Sequence, residues 1–167
     1  MDTTALTAAY DALLDAATTV AATTVADAGG SPPPGEWNAD EILAHVALVT
    51  AATIATAAAV AAGAHTTYDN RLAQDTWTIN HVISLAGGPA GLRERIRSQG
   101  EALCTLVGPT LSEAELDTSV PALLLSHDTA LVNGPVPLRD IITGLAAVEL
   151  PGHTRQLLAL FPNEDNP

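Results

Sequence analysis

Glu149 and His153 stand four residues apart, the spacing that puts two side chains on one face of a helix, one turn apart. Leu138, Ile141, Ile142, Leu145, Gln156 and Leu160 fall on the same face. A carboxylate and an imidazole therefore occupy positions where an amphipathic stripe predicts leucine. Burying a carboxylate is expensive unless it is paired or bound to a metal. At i and i+4 the two groups offer one ion two ligands from a single turn. His45, with Ile42, Leu48 and Val49 as neighbours on its own helical net, lies at the edge of a second buried stripe. Taken alone it reads as a hydrogen-bonded core histidine; beside the Glu149/His153 pair it becomes the candidate third ligand from a facing helix. Three protein ligands leave coordination positions open to water or substrate, the catalytic rather than the structural arrangement for zinc.

Pro151 sits between the two C-terminal candidates. It lacks an N–H and crowds the carbonyl of Ala147, at about 3 kcal/mol in an ideal helix, and Gly152 weakens the turn further. Either the helix ends at Leu150 with Glu149 in solvent, or a kink is tolerated because a metal holds the turn together. The apolar stripe resumes in phase after the kink, which favours the second reading.

The elements that must carry these residues read as helices. Of the 167 residues 47% are hydrophobic but only 3% aromatic, so the core relies on Ala, Leu, Val and Ile, and Ala has the best helix propensity. A first helix is predicted over about Thr4–Ala26, with Leu6, Tyr10, Leu13, Leu14 and Val20 inside, broken by the Gly29–Gly35 run. Asn38 and Glu41 form a capping-box pattern that opens a second helix to about Ala62, with Trp37 stapling onto Ile42. Tyr68–Leu85 reads as a short helix opened by Asp69 and Asn70. A third long helix over about Ala90–Val107 has Leu92, Ile96, Leu103 and Leu106 inside and Arg93, Glu94, Arg95 and Arg97 outside, stopped by Gly108-Pro109. Residues 110–136 hold several breakers and read as a long crossover loop with short strands or turns. The fourth helix runs from Pro137 to about Leu160, and Phe161-Pro162 closes it. The expectation is an all-α four-helix bundle in one domain, residues 1–162, with a long crossover connection and an acidic frayed tail, residues 163–167. Such bundles build metal sites from facing helices.

Composition excludes several classes. The formal net charge is −13 and all six basic residues are arginines. Nucleic-acid binding, which depends on phosphate contacts, is not expected, nor is attraction to an anionic membrane. Residues 42–64 lack Asp, Glu, Lys and Arg and are long enough to span a bilayer, but their Ala/Thr composition, His45 and lack of flanking basic anchors favour a buried helix. The N-terminus has no signal-peptide pattern, and the lone Cys104, read as a buried structural thiol, fits a reducing cytoplasm.

Other candidates carry less. Arg71 could hold an anionic substrate at the bundle mouth, against a plain helix start. His81 could line the pocket or donate a proton, against a satisfied buried histidine. His65 and His127 read as solvated loop residues, and the adjacent Ser126-His127-Asp128 cannot arrange as a triad. Glu41 with His45 makes a second Glu-x-x-x-His, hence a conceivable two-metal site, although Glu41 is already explained as a cap and two-metal bundles use Glu-x-x-His.

The segments 37–45 (Trp37-Asn38-Ala39-Asp40-Glu41-Ile42-Leu43-Ala44-His45) and 149–157 (Glu149-Leu150-Pro151-Gly152-His153-Thr154-Arg155-Gln156-Leu157) resemble the second- and fourth-helix motifs of the DinB-like superfamily of metal-binding four-helix bundles. Glu rather than His at position 149 resembles the mycothiol-dependent maleylpyruvate isomerase branch, where a His/Glu/His set holds zinc. The resemblance implies His45, Glu149 and His153 as ligands of one divalent ion, zinc above all. It implies a cytoplasmic thiol-dependent transferase or isomerase acting on a small-molecule substrate, with mycothiol or a similar thiol as cosubstrate and a metal-activated thiolate as nucleophile. A homodimer is compatible with it. The alternatives are a metal-dependent hydrolase using the same ligands to activate water, and a non-catalytic helical interaction domain in which the three residues form a metal-free polar network.

Overall fold

The computed structural model describes residues 1–26, 36–126 and 129–160. The Gly29–Gly35 break, His127 with Asp128, Phe161-Pro162 and the tail 163–167 lie outside the described residues. The chain is mostly helical and carries one small three-stranded sheet. Helix α1 (Thr4–Ala26) buries Leu6, Tyr10, Leu13, Leu14 and Val20, as its periodicity predicts. Helix α2 (Ala39–Ala61) opens on a complete capping box. The Glu41 amide donates to the Asn38 side chain at 3.0 Å and the Asn38 amide donates to the Glu41 carboxylate at 2.8 Å. Two helix-end donors are satisfied together, which fixes where α2 begins and therefore the turn on which His45 sits. Gly63, at φ +68°, turns the chain away after the Ala62 cap.

The stretch expected as one short helix is instead three elements: β1 (Tyr68–Asp69), a 3₁₀ turn (Arg71–Ala73) and helix α3 (Thr76–Ala86). Asp75, not Asp69 or Asn70, caps α3, accepting from the Thr78 amide at 2.8 Å. Asp69 accepts from the Arg71 amide at 2.9 Å. Asn70 engages both backbone groups of Leu125, donating to its carbonyl at 2.9 Å and accepting from its amide at 2.8 Å. Short polar side chains that could cap a helix here bind turn and strand backbone instead.

Helix α4 (Pro89–Thr105) buries Leu92, Ile96 and Leu103. At Gly100 an added Cβ would meet the Tyr10 ring at 3.0 Å, so the glycine lets α1 and α4 approach closely. Leu106 is only half-buried and Val107 takes the core position. Arg93 also departs from its expected outward place. It is half-buried near Asp40, where its charge partly offsets the burial that raises the Asp40 carboxyl. Gly108-Pro109 does not stop the helix, because a π turn (Leu106–Thr110) carries the backbone through Pro109. Cys104 is half-buried rather than buried, with Sγ 3.5 Å from the Thr7 hydroxyl.

The expected crossover loop contains a short helix α5 (Glu113–Leu116) and two long strands, β2 (Ser119–Ser126) and β3 (Thr129–Pro137). β2 pairs antiparallel with β3 and parallel with β1. Prolines disguise the strands in the sequence, since an interior proline forfeits a ladder bond. Here Pro121 stands opposite Pro135 and Ser119 opposite Pro137 in the register, and the Leu138 amide donates to the Thr118 carbonyl at 3.0 Å, so by the alternation of an antiparallel ladder the prolines occupy rungs at which neither strand donates to the other.

The C-terminal rod is α6 (Leu138–Gly144), a second π turn (Leu145–Glu149) and α7 (Leu150–Ala159). Gly144, Leu145, Glu149 and Leu150 all keep right-handed helical dihedrals, so Pro151 does not break it. Pro151 lies in the first turn of α7, directly after the π turn in which the Leu150 amide reaches back five residues to the Leu145 carbonyl, and this wide turn adjusts the backbone in front of the proline. The stripe does not continue in phase, however. Leu138, Ile141, Ile142 and Leu145 are buried before the π turn, and Leu150 and Leu157 after it. One extra residue in the wide turn rotates the downstream side chains by about 100° relative to a regular helix. Glu149 and His153 thus sit at the rim of the core, not within it. α1 packs on α4 and α7, and α2 on α3, α4 and α7. α2 is the one helix among the described residues long and apolar enough to cross a membrane, and 61% of its apolar window is buried inside the protein.

Candidate metal centre

The packing of α2 against α7 brings His45, Glu149 and His153 together, with one ligand-type atom of each within 4.8 Å of the others. Both imidazoles aim the same nitrogen at the same oxygen. His45 Nε2 lies 3.0 Å and His153 Nε2 3.3 Å from Glu149 Oε1. Each ring is held from behind through Nδ1, which lies 2.7 Å from the Ala73 carbonyl in His45 and 2.9 Å from Gln156 Oε1 in His153. A backbone carbonyl can only accept, so the His45 proton belongs on Nδ1. In the neutral ring, Nε2 then presents a lone pair to a carboxylate oxygen.

Two like-signed acceptors 3.0 Å apart need a positive charge between or on them. Protons on both imidazoles supply one solution. In that state the hydrogen bond from His153, then that from His45, holds the Glu149 carboxyl far below the ordinary carboxylate range, against desolvation that pushes it up. A metal cation supplies the other. Two of the three donor separations of the N,N,O set, 3.0 and 3.3 Å, are close to the roughly 3.4 Å between donors about 2.1 Å from a tetrahedral ion, and all three lie within 4.8 Å. In both solutions Glu149 is ionised.

Burial is graded across the cluster. The side chain of His45 is 4% exposed, that of His153 15% and that of Glu149 35%. Trp37 covers the imidazole side, its indole centroid 4.7 Å from that of His45 and 6.3 Å from that of His153, while the two imidazoles lie 4.7 Å apart. Trp37, expected to staple onto Ile42, packs on the hydrophobic core and also reaches a turn further along α2, to His45.

The remaining candidates lie elsewhere in character. The Arg71 guanidinium is exposed and paired with Asp69, through Nε at 2.8 Å and Nη2 at 2.5 Å. His81 is exposed, not buried, and stacks on Trp77 at 5.0 Å. His65 is exposed, as a loop histidine should be. Glu41 is held by its cap and is absent from the cluster, which removes the two-metal geometry. Three contributors escaped sequence reasoning. The Ala73 carbonyl has no side-chain signal at all. Gln156 was visible as a polar residue three positions after His153, and Trp37 as an aromatic immediately before the Asn38 cap of the helix that carries His45. No family model, curated protein or solved structure matches the chain.

Proposed function

We propose that the chain is a divalent-metal-dependent enzyme of the DinB-like type. In this reading α1, α2, α4 and the α6–α7 rod are the four-helix bundle, and His45, Glu149 and His153 hold one ion, zinc foremost. The observation that carries it is the His45 ring. Its Nδ1 is committed to the Ala73 carbonyl, so its Nε2 lone pair faces an anionic oxygen 3.0 Å away. Hydrogen-bond acceptors behind both rings, Ala73 and Gln156, are what metal-ligating histidines characteristically have, and nitrogen and carboxylate donors suit zinc. The buried His45 side excludes water, and the exposed Glu149 flank admits a further ligand. An ion held there would lower the pKa of a bound thiol or water and so supply a nucleophile at neutral pH. The reaction class is thiol-dependent transfer or isomerisation of a small molecule, with a low-molecular-weight thiol such as mycothiol as cosubstrate in the reducing cytoplasm.

One second reading has an observation in its favour. The distances of 3.0 and 3.3 Å are also those of direct hydrogen bonds, so a protonated His–Glu–His network in a non-catalytic domain satisfies the same contacts. Metal analysis of protein purified without a histidine tag separates the two. The expected result is one equivalent of metal, lost in Glu149→Ala and His153→Ala. Metal-free protein whose melting temperature ignores both chelator and added zinc would overturn the enzyme reading. Turnover of an electrophile only in the presence of mycothiol or a similar thiol is expected; turnover without it would assign a hydrolase.

A further inference from the structure

We infer that Trp37 is a positioning residue of this site: its indole holds the two imidazoles in their converging orientation and closes their side of the cluster, so that an incoming ligand must arrive across Glu149. The inference rests on the proposed metal site and adds a residue that supplies no ligand atom. Three rings from two helical segments form one packed set. All three centroid separations, 4.7, 6.3 and 4.7 Å, fall in the range of interacting aromatic pairs, about 4.5–7 Å. The indole lies at 24° to the His153 plane and 43° to that of His45. His153 needs such a support. His45 is buried and its Nδ1 is tied to backbone, whereas the Nδ1 of His153 is tied to Gln156, a side chain that can itself rotate. Trp37 is in turn fixed from below. It immediately precedes Asn38, whose capping box sets the entry of the chain into α2, and its ring packs on the hydrophobic core. The exposure gradient gives the direction of access, since Glu149 is the most open of the three ligand side chains at 35%.

The test uses Co(II) as a spectroscopic metal with Trp37→Phe, Trp37→Leu and Trp37→Ala, circular dichroism verifying the fold of each. Trp37→Leu retains apolar bulk without a π face, so it separates ring support from simple packing. Trp37→Phe is expected to bind close to wild type. Trp37→Leu and Trp37→Ala are expected to weaken Co(II) binding about tenfold or more, as loss of an orienting partner does, and to change the visible absorption band that reports ligand geometry. In a Trp77→Phe background, Co(II) should quench the remaining tryptophan fluorescence, because only Trp37 is left and it lies against the ligands. Wild-type affinity and an unchanged band in Trp37→Leu would overturn the inference while leaving the metal reading intact. Failure of the wild-type protein to bind Co(II) or zinc would overturn both.

Discussion

The chain contains Glu-x-x-x-His twice, as Glu41/His45 at the start of α2 and as Glu149/His153 across the join between the second π turn and α7. In the first pair the spacing is regular helix and the glutamate is turned back on the Asn38 amide, so only the histidine reaches the cluster. In the second the glutamate caps nothing, and both side chains meet His45. Identical spacing thus gives opposite uses. An i, i+4 pair guarantees only that two side chains share a face. Whether both are available depends on whether either is already claimed by backbone, and a helix N-terminus claims a glutamate at its third position.

The largest effect that tests this contrast is on metal content. Glu149→Ala, His153→Ala or His45→Ala should each abolish stoichiometric binding, while Glu41→Ala should leave one equivalent in place; elemental analysis reads both. Loss of metal in Glu41→Ala would show that the two glutamates are not so different. Next in size, Gln156→Leu removes the acceptor behind His153 and should weaken binding by about 10–100-fold, measured by chelator competition. Glu41→Ala should instead appear as stability. Losing half of a capping box costs about 1 kcal/mol, or about 2–4 °C in melting temperature for a domain of this size.

The smallest effect is on pH dependence of the metal-free protein. Glu149 has a folded pKa held below its ordinary value of 4.5. Its contribution to stability is therefore present above that value and lost as pH falls below it toward the folded pKa. The melting-temperature difference between wild type and Glu149→Gln should shrink as pH drops below about 4.5. A difference that grows with acidity would mean that the carboxyl is not held ionised by the two imidazoles.

Much of the helical framework was legible because its signals are local. The α1 stripe, the Asn38/Glu41 box, the glycines after α2 and α3, and the start of the C-terminal rod at Pro137 are each set by residues within a turn or two of one another. The sheet was not, because Asn70 and Leu125 find each other across 55 positions, and the prolines of β2 and β3 are tolerated through a register that places them on rungs where neither strand donates to the other. The rod does continue past Pro151, but not for the reason expected: the apolar stripe does not resume in phase, and the proline follows directly on a π turn. A π turn is invisible to a 3.6-residue template, and it moves the core stripe from His153 and Gln156 to Leu150 and Leu157.

The sequence by itself determined that His45, Glu149 and His153 lie on helical segments, that Glu149 and His153 are one turn apart, and that Glu41 is a cap, since all of this comes from spacing and side-chain chemistry. Tertiary structure alone decided that the three meet at one oxygen, which tautomer His45 carries, and that Trp37 lies over the pair. The physical reason is that convergence requires an orientation for each ring. For His45 that orientation comes from the carbonyl of Ala73, on a turn held by Asn70 against a strand more than fifty residues downstream. Backbone groups carry no sequence signal, so the groups that orient a site's ligands become visible only once the chain is folded.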